Sequence, residues 1–233
     1  MVDFIDQNII EIREKIRSAA KRSGRDPAEV KLMGVSKTHP VECMLSVSSK
    51  VEILGENRVQ EAADKRSKWS SEDRTPWHLI GHLQRNKARK ALEVFDLIET
   101  VDSLDLARML DRILAETDEY DYPVYIEINM SGELTKSGAV PQEAASLLER
   151  IMQYCLRLSV KGLMTIGPNT DERGEIRRSF EGLRILRDEL RLVSGLNIEE
   201  LSMGMSSDYE MAIEEGSTII RIGSGIFGLR SGG

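Results

Sequence analysis

The feature that most constrains the fold is a regular change of hydrophobic period along the chain. Short apolar runs recur between segments whose apolar residues fall three and four apart. Ile5, Ile9, Ile12, Ile16 and Ala19 follow one another at spacings of 4, 3, 4 and 3, one face of a helix over residues 4–20. The turn Gly24-Arg25-Asp26-Pro27 ends it, and residues 30–37 read as a strand. A helix opened by Pro40 leads to a strand at 51–55, a helix near 58–69 to a strand at 77–80, and a helix near 84–93 to a strand at 95–99. Leu104, Ala107, Leu110 and Leu114 share the next helix face. A strand at 122–129 follows, with Pro123 at its start, where a missing N–H is tolerated. The helix after Pro141 and the long helix near 173–193 flank a strand at 158–164. A strand at 198–202, a helix at 207–215 and a strand at 218–222 close the series.

Strands that alternate with helices pair in parallel, and about eight such units in roughly 250 residues is the measure of a (β/α)8 TIM barrel. No linker rich in Pro, Gly or Ser divides the 233 residues. The expectation is therefore an α/β chain forming a single TIM-barrel domain over residues 1–233, with an additional N-terminal helix. A doubly wound open sheet is the alternative. A net charge of −7 opposes a nucleic-acid or anionic-membrane partner. The one basic cluster, Arg85-Asn86-Lys87-Ala88-Arg89-Lys90, reads as a solvated helix face. Cys43 and Cys155 lack a C-x-x-C spacing and make no disulfide framework. The N-terminus lacks the basic and apolar blocks of a signal peptide, and no apolar run reaches the ~20 residues that span a bilayer. A cytoplasmic protein is expected.

In a TIM barrel the active site lies at the C-terminal ends of the strands, and phosphate commonly binds at the loops after strands seven and eight. Here those loops are residues 203–208 and 223–225. Ser206, Ser207 and Asp208 open a helical stretch, with Ser207 and Glu210 at the spacing of a capping box. First-turn N–H groups have no partner within their helix and suit an anion. Gly223 and Gly225, either side of Ser224, let the backbone approach a ligand closely. Two such turns suggest one phosphate held between them. Lys37 ends the first strand on the face of Met33 and Val35. It is either a surface lysine or an amine at the barrel mouth, able to form an imine with a carbonyl. Arg221 interrupts the last apolar strand, where an unpaired charge is costly. It either pairs with a barrel carboxylate or faces a ligand.

Gly223 to Gly228 spells G-x-G-x-x-G, but no βαβ unit with an acidic residue follows, so a dinucleotide site is not expected. His78 and His82 have no third ligand at a metal-type spacing, and no metal site is expected. Met164, Met203 and Met205, near strand ends, read as core filler that could also pack on a flat ring.

Six motifs carry a resemblance: GVSKTHP around Lys37, LGENRVQE over 54–61, WHLIGHLQRNK over 77–87, KSG over 136–138, GLMTI over 162–166, and LSMGMSSDYEMAI with RIGSGIFG at the C-terminal end. In this order the chain resembles the pyridoxal-phosphate homeostasis family of the YggS/PROSC type. The resemblance implies a barrel like the N-terminal domain of alanine racemase, the fold type III of pyridoxal-phosphate proteins. It implies pyridoxal 5′-phosphate (PLP) as cofactor, with Lys37 carrying it as a Schiff base. Ser206, Ser207, Gly223 and Ser224 would hold the phosphate, and Arg221 would face the pyridine nitrogen. Asn57, Met164 and Met203 would line the ring, with His78 also at the cofactor. Leu79 stands where the family more often has phenylalanine, a volume change in the barrel wall.

An arginine at the ring nitrogen weakens the ring as an electron sink. The racemase's second domain and its partner subunit's tyrosine base are also not expected after this barrel. The implied role is vitamin B6 homeostasis, by carriage, buffering or regulation, with no catalytic residues. Apo forms of PLP enzymes are candidate partners, and a monomer is expected. Two alternatives are a PLP-dependent amino-acid racemase or decarboxylase, and a cofactor-free Schiff-base lyase acting on a sugar phosphate.

Overall fold

A computed structural model describes residues 2–69 and 72–228; Met1 and residues 229–233, the ends of the expected unit, lie outside the described residues. Eight strands form the wall: β1 (Lys31–Val35), β2 (Ile53–Glu56), β3 (Trp77–Leu79), β4 (Leu97–Val101), β5 (Tyr122–Glu127), β6 (Leu158–Met164), β7 (Glu200–Ser202) and β8 (Ile219–Ile222). Each pairs in parallel with the next, and β8 returns to β1, from Lys31 opposite Ile219 to Gly34 opposite Ile222. That last pairing closes the barrel and rules out the open sheet, which would leave both strands as edges.

The connecting helices form the outer ring: α2 (Val41–Val47), α3 (Val59–Arg66), α4 (Ala88–Val94), α5 (Leu104–Thr117), α6 (Ala144–Tyr154), α7 (Arg173–Ser194) and α8 (Tyr209–Glu214). Before them comes α1 (Val2–Arg22), and after β8 a single turn, α9 (Ser224–Phe227). The predicted stripe of α1 is buried, Ile5, Ile9, Ile12, Ile16 and Ala19 all being under 7% exposed. Burial of each isoleucine is worth roughly 1.5–3 kcal/mol against exposure, so this face docks the helix firmly on α8 and α9. Asn8 Nδ2 donates to the Ile226 carbonyl at 2.9 Å, tying α1 to the last turn.

The period of two sorts the strand residues into two cores. Leu32, Leu54, Trp77, Leu79, Ile98, Leu163 and Leu201 point outward beneath the helices. Met33, Val35, Ile53, Leu97, Tyr125, Met164 and Ile219 fill the lumen. Gly55 is required by that filling, because a Cβ there would lie 2.5 Å from Met33 Sδ. Arg85, Arg89 and Lys90 of the basic run pair with Asp105, Glu116 and Glu93 on exposed helix faces.

Strand and helix order follow the sequence expectation, with one local correction. Ser207 and Glu210 form no capping box: α8 starts at Tyr209, and its N-cap Asp208 makes no side-chain cap bond. Asp208 Oδ1 instead accepts from the Met205 N–H at 2.6 Å, and Glu210 pairs with Arg22 of α1 at 2.9 Å. Arg22 also pairs with Glu214, and Arg177 of α7 with Glu214 and Glu215, so α8 is gripped from both sides.

Candidate functional site at the barrel mouth

A cavity of about 750 Å³ opens at the C-terminal ends of β1 and β8, within the roughly 300–1,000 Å³ range of small-molecule sites. Six of the predicted residues line it together: Lys37, Ser206, Ser207, Arg221, Gly223 and Ser224. Arg221 lies in β8 itself and the other five are on the loops that follow β1, β7 and β8, three strands adjacent in the closed barrel.

The two turns meet at their hydroxyls. Ser224 Oγ donates to Ser206 Oγ at 3.3 Å, and the Gly225 N–H reaches the same Ser206 Oγ at 3.4 Å. The backbone N–H groups of Ser206 and Ser207 donate to no described residue. The turn that bears them is closed below by Asp208, which holds the Met205 N–H. Burial pushes the Asp208 carboxyl upward, opposed by that N–H and by the charge of Arg221. Gly204 is the hinge into this turn. Its φ of +95° lies in the left-handed region, and an added Cβ would meet Ala212 Cβ at 2.6 Å.

Lys37 is half-buried on the lumen face shared with Met33 and Val35, and its ammonium bonds to no described residue. Arg221 is 4% exposed. It forms no salt bridge among the described residues, so of the two readings left open for it, direct pairing with a barrel carboxylate is not the one seen. Instead Nη1 donates to the Ser202 carbonyl at 2.6 Å and to Ser202 Oγ at 2.9 Å, and Nη2 donates to the Thr165 carbonyl at 2.7 Å. Burial lowers the Arg221 pKa, while Glu99, Asp208 and Glu127 counter it. These three bonds commit both Nη1 protons and one Nη2 proton to the wall, which leaves the Nε–H and one Nη2–H as donors for a molecule in the cavity.

The other four predicted residues lie off the cavity lining. His78 is buried deeper in the lumen, where Nδ1 meets Glu99 Oε1 at 2.7 Å. Ser202 Oγ donates to Glu99 Oε2 at 2.5 Å, so His78 reaches Arg221 only through Glu99 and Ser202. Its ring also borders a second cavity at the opposite end of the barrel. Met164 packs within the lumen, whereas Met203 is fully buried in the outer core under the helices. Asn57 continues the inward face of β2, and its Oδ1 is buried with no hydrogen-bond partner among the described residues.

Sequence reasoning missed His39 and Ile80, which also line the mouth. His39 stacks on Phe227 with ring centroids 4.7 Å apart. Its place two residues after Lys37, on the same parity, was the available signal. Glu127 was missed as well. Burial, with Asp102 and Glu99 nearby, raises its carboxyl to about 7, against the pull of Arg221.

Comparisons with known proteins agree with this geometry. Residues 8–231 match the family described as alanine racemase, N-terminal domain. The pyridoxal phosphate homeostasis protein of Pseudomonas aeruginosa is 39% identical over 233 residues, covering 98% of this chain and 97% of its own. PipY of Synechococcus elongatus, solved with PLP bound, superposes with a TM-score of 0.79 at 37% identity, over 93% of this chain and 100% of that one. An alanine racemase of Clostridium difficile superposes with a TM-score of 0.74 at 16% identity, over 99% of this chain and 57% of its own, a likeness of fold alone. With full-length identity at this level and the same closed barrel, the chain belongs to the pyridoxal phosphate homeostasis protein family.

Proposed function

We propose that this protein binds pyridoxal 5′-phosphate at the barrel mouth and serves vitamin B6 homeostasis by holding the cofactor, without robust turnover. The observation that carries the reading is the convergence in one cavity of a lysine amine that bonds to no described residue, a buried arginine and two hydroxyl-bearing turns. The cofactor's three functional parts have matching groups here. Ser206, Ser207 and Ser224, with the bare N–H groups of the first turn, suit the phosphate. Lys37 suits the aldehyde: its neutral amine adds to the carbonyl carbon, water leaves, and a Schiff base links the two. Arg221 suits the pyridine nitrogen, towards which a guanidinium can only donate. Asn57 Oδ1, buried and without a partner among the described residues, adds a polar atom beside the lumen.

Bound PLP supplies an electron sink for amine chemistry, and an arginine at its nitrogen weakens that sink. The same logic favours carriage over racemisation, and apo PLP enzymes are the natural recipients of a held cofactor. Purified protein incubated with PLP and then dialysed should keep a visible absorption band. It should racemise and decarboxylate common amino acids no faster than free PLP does. Alanine racemisation at the ~1–10³ s⁻¹ typical of enzymes would overturn the carrier reading. A protein that binds a sugar phosphate but no PLP would favour the lyase instead.

A further inference from the structure

We infer that the ion cluster of the buried Glu56 and Lys65 with the partly exposed Glu61 is a positioning device for Lys37, clamping the backbone on both sides of it. Lys65 Nζ spends its three protons on Glu56 Oε1 at 2.6 Å, Glu61 Oε1 at 2.7 Å and the Ser36 carbonyl at 3.0 Å. Ser36 Oγ donates to Glu56 Oε1 at 2.8 Å, so the residue before Lys37 is held twice. The residue after it is held once, where the Thr38 N–H donates to Glu61 Oε1 at 2.7 Å. Between these anchors, Lys37 keeps its own ammonium free of any described partner. The cluster fixes the lysine's backbone and leaves its amine available.

Two further observations separate this from ordinary core packing. Thr38 has φ at +68°, a left-handed conformation that a β-branched residue adopts only when its surroundings impose it. The Glu61 bond to its N–H is such a constraint, and it turns the chain immediately after Lys37. A buried ion pair is also a poor source of stability, since the cost of removing two charges from water can match their attraction. Burial raises the Glu56 carboxyl, and Lys65 and Ser36 act against that rise. The bonds that Lys65 and Glu61 direct to backbone end on the two residues flanking Lys37, which is where a positioning role would place them.

The inference rests on the reading that Lys37 forms the link to PLP. That link needs the amine held along the line of approach to the aldehyde carbon, and a misplacement of about 1 Å can cost on the order of 100-fold. The test variant is Glu61→Ala, which removes the Thr38 anchor but leaves the Lys65–Glu56 pair in place. Glu61 has a side chain 26% exposed, so the substitution is tolerable to the fold. Glu61→Gln is the conservative companion, because its amide oxygen can still accept from the Thr38 N–H.

Schiff-base formation with PLP is read from visible absorption, and affinity for pyridoxine 5′-phosphate, which has no aldehyde, is read by calorimetry. Glu61→Ala should raise the PLP concentration for half-formation roughly tenfold or more, the loss of one charge-assisted hydrogen bond. Its affinity for pyridoxine 5′-phosphate should stay within about twofold, and Glu61→Gln should recover most of the Schiff base. Unchanged Schiff-base formation in Glu61→Ala, or an equal loss for both ligands, overturns the inference while leaving the function intact. A wild-type protein whose borohydride-fixed label lies away from Lys37 overturns the functional reading, and the inference with it.

Discussion

Removing the hydroxyl of Ser206 tests the phosphate end of the site most sharply. Ser206 Oγ lies 3.3 Å from Ser224 Oγ and accepts from the Gly225 N–H at 3.4 Å, so it sits where the two turns join. On the proposed reading, a phosphate between those turns would receive a charge-assisted hydrogen bond from each hydroxyl. One such bond contributes about 1.5–3 kcal/mol, so Ser206→Ala should weaken PLP binding roughly 10- to 150-fold. Ser224→Ala should cost a similar amount. The double variant should lose measurably less or more than the sum, because the two hydroxyls touch each other and share one ligand. Calorimetric titration with PLP and, separately, with pyridoxal gives the decisive contrast. Pyridoxal, which lacks the phosphate, should bind weakly to the wild type and lose little further in either variant. Equal losses for the two ligands, or equal wild-type affinity for them, would refute phosphate capture by these turns.

Other consequences follow from the lumen and the hinge. The Glu127 carboxyl, raised by burial from 4.5 to about 7, binds its proton more tightly in the folded protein than in the unfolded chain. Folding stability is then lost as pH rises from about 4.5 through 7, by about 3 kcal/mol in all. Glu127→Gln should therefore stabilise the cofactor-free protein at pH 8 but not at pH 4, as read from urea unfolding; an advantage independent of pH would contradict this. Gly204→Ala should cost about 1–3 kcal/mol from its left-handed φ alone, and more from the clash with Ala212. A lowered Tm with weakened PLP binding would report it, and an unchanged Tm would refute the strain argument.

The sequence made the barrel legible because its two hydrophobic periods are local properties. Alternation also put Lys37 on the lumen face with Met33 and Val35, and the two serine- and glycine-rich turns stood out by composition. What stayed hidden depends on partners far along the chain. For Arg221 the sequence left a salt bridge and a ligand contact equally open, and its actual partners are wall carbonyls of β7 and of the residue after β6, which a single strand cannot announce. The capping box failed because Arg22, from the first helix, engages Glu210. His78 has the inward parity its position suggests, yet how deep it lies depends on the stagger of the strands around the barrel. Met203 is different: it follows the inward Ser202, so strict alternation would have turned it outward.

Lys37 is the one amine proposed to hold the cofactor. The direct measurement is borohydride reduction of the PLP-loaded protein, which delivers hydride to the C=N bond and leaves a stable secondary amine, followed by proteolysis and mass mapping. The account expects loss of the visible band and a single pyridoxyl label on the peptide containing Lys37. A label on Lys136, or on any lysine outside the 750 Å³ cavity, would contradict it.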